Sequence, residues 1–436
     1  MNILIIGSGA REHAVARAFQ RSSQNPKLFC FGSSNNPGIK KLCVGYETGK
    51  IADPESVLKF ALNNKIDLTF IGPEAPLSTG VADILWKNNI PCVGPKQKHA
   101  QLESSKGFTR DLQTKYNIPG APKFKRLFDL SEAENFLHQL GEGNYVIKAD
   151  GLMGGKGVKV AGDHLHNFDE ALAYCQELIT VGSPFVIEEK FIGQEFSLMS
   201  FCDGTNLTHM PVVQDHKRAF EGDFGPNTGG MGTYSDANHL LPFLNENDLT
   251  EAQAINQATA DALRAKFGEG YKGILYGGFM ITKDGVKLIE YNARLGDPEA
   301  MNVLAILESD FVALCQAIVN GNLTQNHTRF SHQATVCKYA VPEGYPDNPI
   351  KNQKINTEGV VNQEQLYFAS VDERTDGLYE IGSRTVAVVG IADTIYEAEK
   401  IAEEEINKIT GPLFHRKDIG TKELIAKRVE MMKTVR

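Results

Sequence analysis

Long apolar runs are missing from this 436-residue sequence: no charge-free stretch reaches the roughly 20 residues that a membrane-spanning helix needs, so the chain is not expected to cross a bilayer. Disulfide chemistry is missing too. The seven cysteines, Cys30, Cys43, Cys92, Cys175, Cys202, Cys315 and Cys337, are odd in number, scattered and without a C-x-x-C pair, which argues against a disulfide framework and a zinc site alike. They read as reduced packing residues. Basic charge is in deficit, 45 Lys and Arg against 54 Asp and Glu for a net charge of −9, which leaves no overall attraction for nucleic acid or an anionic membrane. No basic segment precedes an apolar one at the N-terminus, where Met1-Asn2-Ile3-Leu4-Ile5-Ile6-Gly7 starts a strand at once. The expectation is a monomer in the cytoplasm whose partners are small molecules, with no nucleic acid and no membrane among them.

Two common phosphate-binding signatures are incomplete. Gly7-Ser8-Gly9-Ala10-Arg11-Glu12 carries the first two glycines of a dinucleotide turn, but Glu12 stands where the third belongs. Phe29-Cys30-Phe31-Gly32 also lacks the acidic residue that would hold a ribose after the second strand, and NAD binding is rejected. A Walker A loop counted from Gly151 would need glycine where Lys156 stands and lysine where Gly157 stands.

Present instead, near the middle of the chain, is Tyr145-Val146-Ile147-Lys148-Ala149-Asp150-Gly151-Leu152-Met153-Gly154-Gly155-Lys156-Gly157-Val158-Lys159-Val160. Two Val- and Ile-rich runs flank a loop with four glycines and Lys156, which predicts strand, turn, strand. Glycines let backbone N–H groups approach an anion with no Cβ in the way, and lysine adds a mobile point charge, so the loop suits a polyphosphate. A plain glycine-rich hairpin is the alternative from this stretch alone.

Composition near the globular average, 42% hydrophobic and 23% charged, predicts a chain folded throughout, and its length predicts several cores. Residues 1–100 read as a doubly wound parallel-sheet domain: strand Asn2–Ile6, a helix reaching Ser22, helix Pro54–Asn63 and strand Asp67–Ile71. The helix start at Gly9 and Arg11 is a seat for a small phosphate or carboxylate, or else a packing turn. Glu74 lies beyond a strand end, where open α/β sheets bind ligands. A central region, 101–327, begins with a polar helix, Gln101–Tyr116, that carries Lys106. It includes a smaller lobe at about 121–190, closed by strand Phe185–Glu189, whose Glu188, with Glu195 just beyond, suits a ribose. Asp215 and His216 end an apolar run that leads into the glycine-dense Gly225–Gly232, a composition poor for a core and good for a site. Strands Gly273–Thr282 and Gly285–Ala293 form a hairpin, and alternation puts Val286, Leu288, Glu290, Asn292 and Arg294 on one face. An acid and an amide two residues apart make a hard oxygen site for Mg²⁺, and the guanidinium beside them can clamp a carboxylate or a transferring phosphoryl group. Residues 328–436 read as a separate small α/β domain with a helix over Ile395–Ile409 and no chemical constellation.

Seven motifs, in order, resemble an ATP-grasp ligase and closely the phosphoribosylamine–glycine ligase family: Gly7–Ala14, Gly72–Leu77, Glu103–Lys106, Lys148–Gly151, Gln214–Arg218, Asn227–Gly232 and Glu290–Glu299. The resemblance implies an ATP-grasp fold between an N-terminal doubly wound domain and a small C-terminal one. It implies that Lys106, Lys148, Gly154, Gly155, Lys156, Glu188 and Glu195 bind ATP, and that Glu290 and Asn292 bind Mg²⁺ or Mn²⁺. Gly9, Arg11, Glu74, Asp215 and Arg294 would hold the substrates, with Arg294 and Asp215 closest to the reaction. The implied chemistry is formation of glycyl phosphate from glycine and ATP, followed by attack of the phosphoribosylamine nitrogen, a step of purine synthesis.

Overall fold

The computed structural model describes residues 1–152 and 157–436; Met153, Gly154, Gly155 and Lys156 of the glycine stretch lie outside the described residues. No helix among the described residues is long and apolar enough to cross a membrane.

The N-terminal strands form one parallel sheet in the order Gly45–Thr48, Lys27–Gly32, Asn2–Ile6, Leu68–Ile71, Cys92–Val93. Ile3 to Ile6 are wholly buried, as the uninterrupted apolar run of a strand covered on both faces requires. Strand order reverses at Asn2–Ile6, so a crevice opens beyond the carboxyl ends at Ile6 and Ile71, the switch point where such sheets bind ligands. Glu74, expected on a loop there, begins a short helix, Glu74–Ser78. The single polar helix expected from Gln101 is two, Gln97–Ser104 and Lys106–Lys115. Ser105 parts them by adopting extended backbone and accepting the Phe108 N–H at 3.0 Å, an N-cap that competes with a continuous helix.

The smaller lobe is an antiparallel sheet in the order Phe124–Leu127, Phe185–Glu189, Tyr145–Ala149, Val158–Val160, so the two runs flanking the glycine stretch do pair as strands. Leu137, Tyr145, Ile147, Cys175 and Phe185 give the lobe a core of its own, while the rest of the chain shares one continuous core. Beside it lies a larger antiparallel sheet, ordered Leu207–His209, Gln194–Asp203, Lys272–Thr282, Gly285–Asn292.

In that sheet the expected alternation fails at one residue. Gly278 pairs with Glu290, while the adjacent Phe279 pairs with Leu288, so Ile289 is an extra residue in a β-bulge. The bulge shifts the phase: Val286, Leu288 and Tyr291 are buried on one face, and Glu290 and Asn292 point to the other. Val286 and Leu288 therefore do not share the face of the acid and the amide.

The C-terminal α/β unit is not free-standing. Its strands Ala334–Pro342, Val386–Ala392 and Leu366–Phe368 continue a sheet begun by Gln214–Asp215 and Gly232–Ser235 of the central region. Its helix ends at Ile406, and a further helix, Lys422–Val435, closes the chain. Only Leu424 and Met432 of that last helix are buried, too thin an apolar stripe to stand out in the sequence. Helix Ile395–Ile406 packs so closely on strand Val386–Ala392 that a Cβ at Gly390 would run into the Ala398 carbonyl oxygen. Gly390→Ala is accordingly expected to destabilise the protein by about 1–3 kcal/mol, the usual cost of overpacking, read from denaturant midpoints. An unchanged midpoint would show that the helix shifts freely on the sheet.

Candidate active site

The face re-aimed by the bulge forms the floor of a crevice. Register places Glu195 opposite Met280, Gly278 opposite Glu290, and Tyr276 opposite Asn292, all on that face. Burial pushes the Glu290 carboxyl up, but Lys217, Lys148, Lys106 and Arg294 together hold it below the ordinary glutamate value. A carboxylate kept ionised among four cations is a strong oxygen donor. Asn292 Oδ1 beside it accepts from Arg294 Nη2 at 3.3 Å. No group of three or more acidic, His or Cys side chains able to hold a metal occurs among the described residues. Glu290 and Asn292 thus fit a hard cation that takes most of its ligands from phosphates and water.

Arg294 is the hub of the crevice. Its Nη2 lies 3.0 Å from Glu103 Oε1 and its Nη1 donates to the Leu295 carbonyl at 3.1 Å. Its Nε is buried without a hydrogen-bond partner and faces Glu74 Oε2 at 3.6 Å, an ion pair too long for a direct hydrogen bond. Glu103 also accepts the Ala293 N–H at 2.8 Å, which fixes it against the backbone beneath Arg294. Burial raises the Glu103 carboxyl, and the Arg294 guanidinium opposes that rise. Glu103 was legible only as a member of a motif, not as the anchor of Arg294.

The residues expected at the nucleotide divide into two groups. Lys106 Nζ donates to the Gly151 carbonyl at 2.9 Å, at the entrance to the glycine stretch. Lys148 Nζ donates to the Ile289 carbonyl at 3.0 Å and pairs with Glu188 at 2.7 Å. Glu195 is exposed on the floor, 3.4 Å from Lys217 Nζ. Glu188 belongs elsewhere: it is 2% exposed and clamped by Arg110, so its carboxylate faces inward rather than toward a ribose. Gly154, Gly155 and Lys156 fall outside the described residues.

At the switch point the helix start is not an open anion seat. Glu12 Oε2 already accepts the Gly9 N–H at 2.6 Å, and Glu12 Oε1 pairs with Arg11 Nε at 2.6 Å. Arg11 is 7% exposed and also donates to the Leu295 carbonyl, so it is engaged in packing. The third-glycine position is thus filled by the carboxylate that satisfies the helix's first turn. Beside it opens a cavity of about 220 Å³ bordered by Gly9, Ser33, Ser34, Ser370, Ser383 and Arg384. Arg384 Nη1 donates to the carbonyls of Gly229 at 2.6 Å and Asp297 at 2.7 Å, and Nη2 pairs with Asp297 Oδ2 at 3.1 Å. The C-terminal unit therefore does bring chemistry to the site, through residues no local pattern marks.

Asp215 lies beside Gly230 of the glycine-dense loop. Burial and Glu299 push its carboxyl well above the usual range, although Lys217 and Arg384 pull the other way. Gly230, at φ 106°, leaves room for the Asp215 carboxylate that a Cβ would fill. Glu299 is itself buried and accepts the Tyr276 hydroxyl. His216 is not part of the lining: burial, with Arg416 and Arg428 nearby, lowers it to about 3, and Nδ1 is bonded to the Gly232 carbonyl at 3.1 Å.

A small antiparallel lobe facing a larger antiparallel sheet, with Lys148 on the first and an acid, an amide and an arginine at a strand end of the second, defines an ATP-grasp enzyme. Family models agree. The N domain of phosphoribosylglycinamide synthetase matches residues 1–103, its ATP-grasp (A) domain 104–300 and its C domain 335–422. Phosphoribosylamine–glycine ligases of Methanosarcina barkeri and Methanocaldococcus jannaschii are 49% and 48% identical to this chain, each covering 100% of both sequences. The crystal structure of phosphoribosylamine–glycine ligase from Thermotoga maritima superposes with a TM-score of 0.80 at 28% identity, over 96% of this chain and 100% of that one. The biotin carboxylase of Campylobacter jejuni shares the fold, with a TM-score of 0.71 at 16% identity, over 99% and 95%. This chain belongs to the phosphoribosylglycinamide synthetase family, the phosphoribosylamine–glycine ligases.

Anchoring of Arg294 by Glu103 gives a first test. Glu103→Gln removes a hydrogen bond between charged partners, worth about 1.5–3 kcal/mol, so kcat for ADP release should fall at least about tenfold. A kcat within twofold of the parent would show that Arg294 holds its place without Glu103.

Proposed function

We propose that this chain ligates glycine to 5-phosphoribosylamine, giving glycinamide ribonucleotide, ADP and phosphate, with Arg294 at the junction of two binding spaces. The observation that carries it is the placement of Arg294. On one side stand Asn292, Glu290 and the lysines of the nucleotide crevice; on the other stands Glu74, just beyond the switch-point strand Leu68–Ile71.

In the first step a glycine carboxylate oxygen attacks the γ-phosphorus of ATP and ADP departs, leaving glycyl phosphate. In the second the phosphoribosylamine nitrogen attacks the glycyl carbon, expelling phosphate and a proton. Neither step needs a strong base, so catalysis is chiefly placement and charge neutralisation. Lys106 and Lys148, with Lys156 of the glycine stretch, hold the ATP phosphates, and Glu195 takes the nucleoside. Glu290 and Asn292 would hold Mg²⁺, or Mn²⁺ in its place; when bound it neutralises phosphate charge and orients the reacting oxygens. Arg294 orients the glycine carboxylate and then the acyl phosphate. Gly9, Glu74 and Asp215 hold phosphoribosylamine, and the serines and Arg384 of the cavity suit its ribose phosphate, as hydroxyl and guanidinium donors do. Closure of the lobe, which has its own core, excludes water from the acyl phosphate. A monomer acting in the cytoplasm is part of the same proposal.

The decisive experiment measures ADP release with Mg²⁺-ATP, glycine and freshly prepared phosphoribosylamine, omitting each in turn. Turnover should require all three. Turnover without phosphoribosylamine, or with bicarbonate in place of glycine, would overturn the substrate assignment. Arg384→Ala should raise KM for phosphoribosylamine at least about tenfold, a loss on the scale of one charge-assisted contact, while KM for ATP stays within twofold. A larger effect on ATP would place the cavity's arginine with the nucleotide.

A further inference from the structure

Where the helix Lys106–Lys115, the lobe and the bulge meet, four groups close a ring. Arg110 Nε lies 2.7 Å from Glu188 Oε1, and Arg110 Nη2 lies 3.0 Å from Glu188 Oε2 and 2.6 Å from the Ile289 carbonyl oxygen. Lys148 Nζ bonds the same two acceptors, Glu188 Oε2 at 2.7 Å and the Ile289 carbonyl at 3.0 Å. Gln113 Oε1 accepts Arg110 Nη1 at 2.7 Å and completes the fork. Ile289 can accept both cations because the bulge takes its carbonyl out of the regular ladder. Among the described residues Glu188 and Arg110 border a pocket of about 10 Å³, room for a single water, together with Lys106 and Glu290.

We infer that Arg110 and Glu188 are positioning residues: they aim Lys148 Nζ, and the bulge that carries Glu290, at the nucleotide without touching it themselves. The inference rests on Lys148 being a nucleotide ligand. Three N–H donors are available to an ammonium, and the ring uses two, which leaves the third for a nucleotide phosphate. Glu188 supplies the counter-charge that offsets the burial of Lys148, with Arg110 and Glu290 the other charges facing it. A guanidinium suits the corner because its planar fork meets a carboxylate along two bonds and reaches a carbonyl with the same nitrogen, which an ammonium cannot do.

The test separates aiming from mere support. The double variant Arg110→Met/Glu188→Met replaces the buried ion pair by apolar side chains of similar size but leaves the buried Lys148 without its counter-charge, so it should fold and melt below the parent temperature. Its KM for ATP should rise at least tenfold while KM for glycine and for phosphoribosylamine stays within twofold. Glu188→Gln, which keeps the shape and removes the charge, should raise KM for ATP in the same selective way, and it carries the test if the double variant is insoluble. A KM for ATP within twofold of the parent in either soluble variant overturns the inference, provided Lys148→Met raises it. An equal rise in all three KM values also overturns it, because that marks support of the fold. If Lys148→Met itself leaves KM for ATP unchanged, the nucleotide role of Lys148 falls, and the aiming role with it.

Discussion

Glu290 stays charged in a crevice that partly strips it of water only because four cations converge on it, and much of the local architecture is arranged to bring them there. Lys106 comes from a helix start, Lys148 from the lobe, Lys217 from the segment after Asp215, and Arg294 from the end of Glu290's own strand. An isolated carboxylate there would take up a proton, and four isolated cations would repel one another. Each therefore depends on the others. The chain as a whole is acidic, yet its nucleotide crevice gathers positive charge, which is what a polyphosphate needs and what net charge alone conceals.

The same mutual dependence ties the C-terminal unit to the rest. Because Ala334–Pro342 pairs directly with Gly232–Ser235, the segment holding Arg384 is fixed relative to the glycine-dense loop and to Asp297. A shared sheet transmits position without a hinge, so the cavity at the switch point has walls from both ends of the chain. The lobe is the exception: among the described residues it has a core separate from the common one, so a shift of the lobe would leave the common core intact.

Much of this was legible in the sequence, and the failures have physical causes. Local signals survived: the parallel N-terminal strands, the hairpin around the glycine stretch, and the acid–amide–guanidinium strand end all appear in the fold. Alternation along Gly285–Asn292 misplaced Val286 and Leu288 because a bulge adds one residue to the period, and nothing in Ile289 announces it. Arg11 suggested a ligand seat because the sequence does not show that Glu12 folds back onto the helix start. Glu188 resembled a ribose ligand until Arg110, 78 residues earlier, was seen to clamp it. Arg384 and the serines of the cavity come from separate elements, and only the folded chain brings them together.

The site also divides its cations by kind. Its arginines act as joints: Arg110 links helix, lobe and bulge, Arg294 links Glu103 to Asn292, and Arg384 links the glycine-dense loop to Asp297. Each meets acceptors in two or more directions, which a rigid five-donor fork can do and a single ammonium cannot. The lysines, Lys106, Lys148 and Lys217, are point charges that act together on Glu290. Under the proposed reaction that division is functional. The frame must not change while ATP, glycyl phosphate and ADP succeed one another, whereas the groups on the phosphates must follow charge as it moves from β- to γ-oxygens and then away. Guanidinium forks hold the first, and ammonium groups, which have no preferred plane, serve the second. An exchange of arginine for lysine at the joints would therefore disturb this site more than the conserved charge suggests.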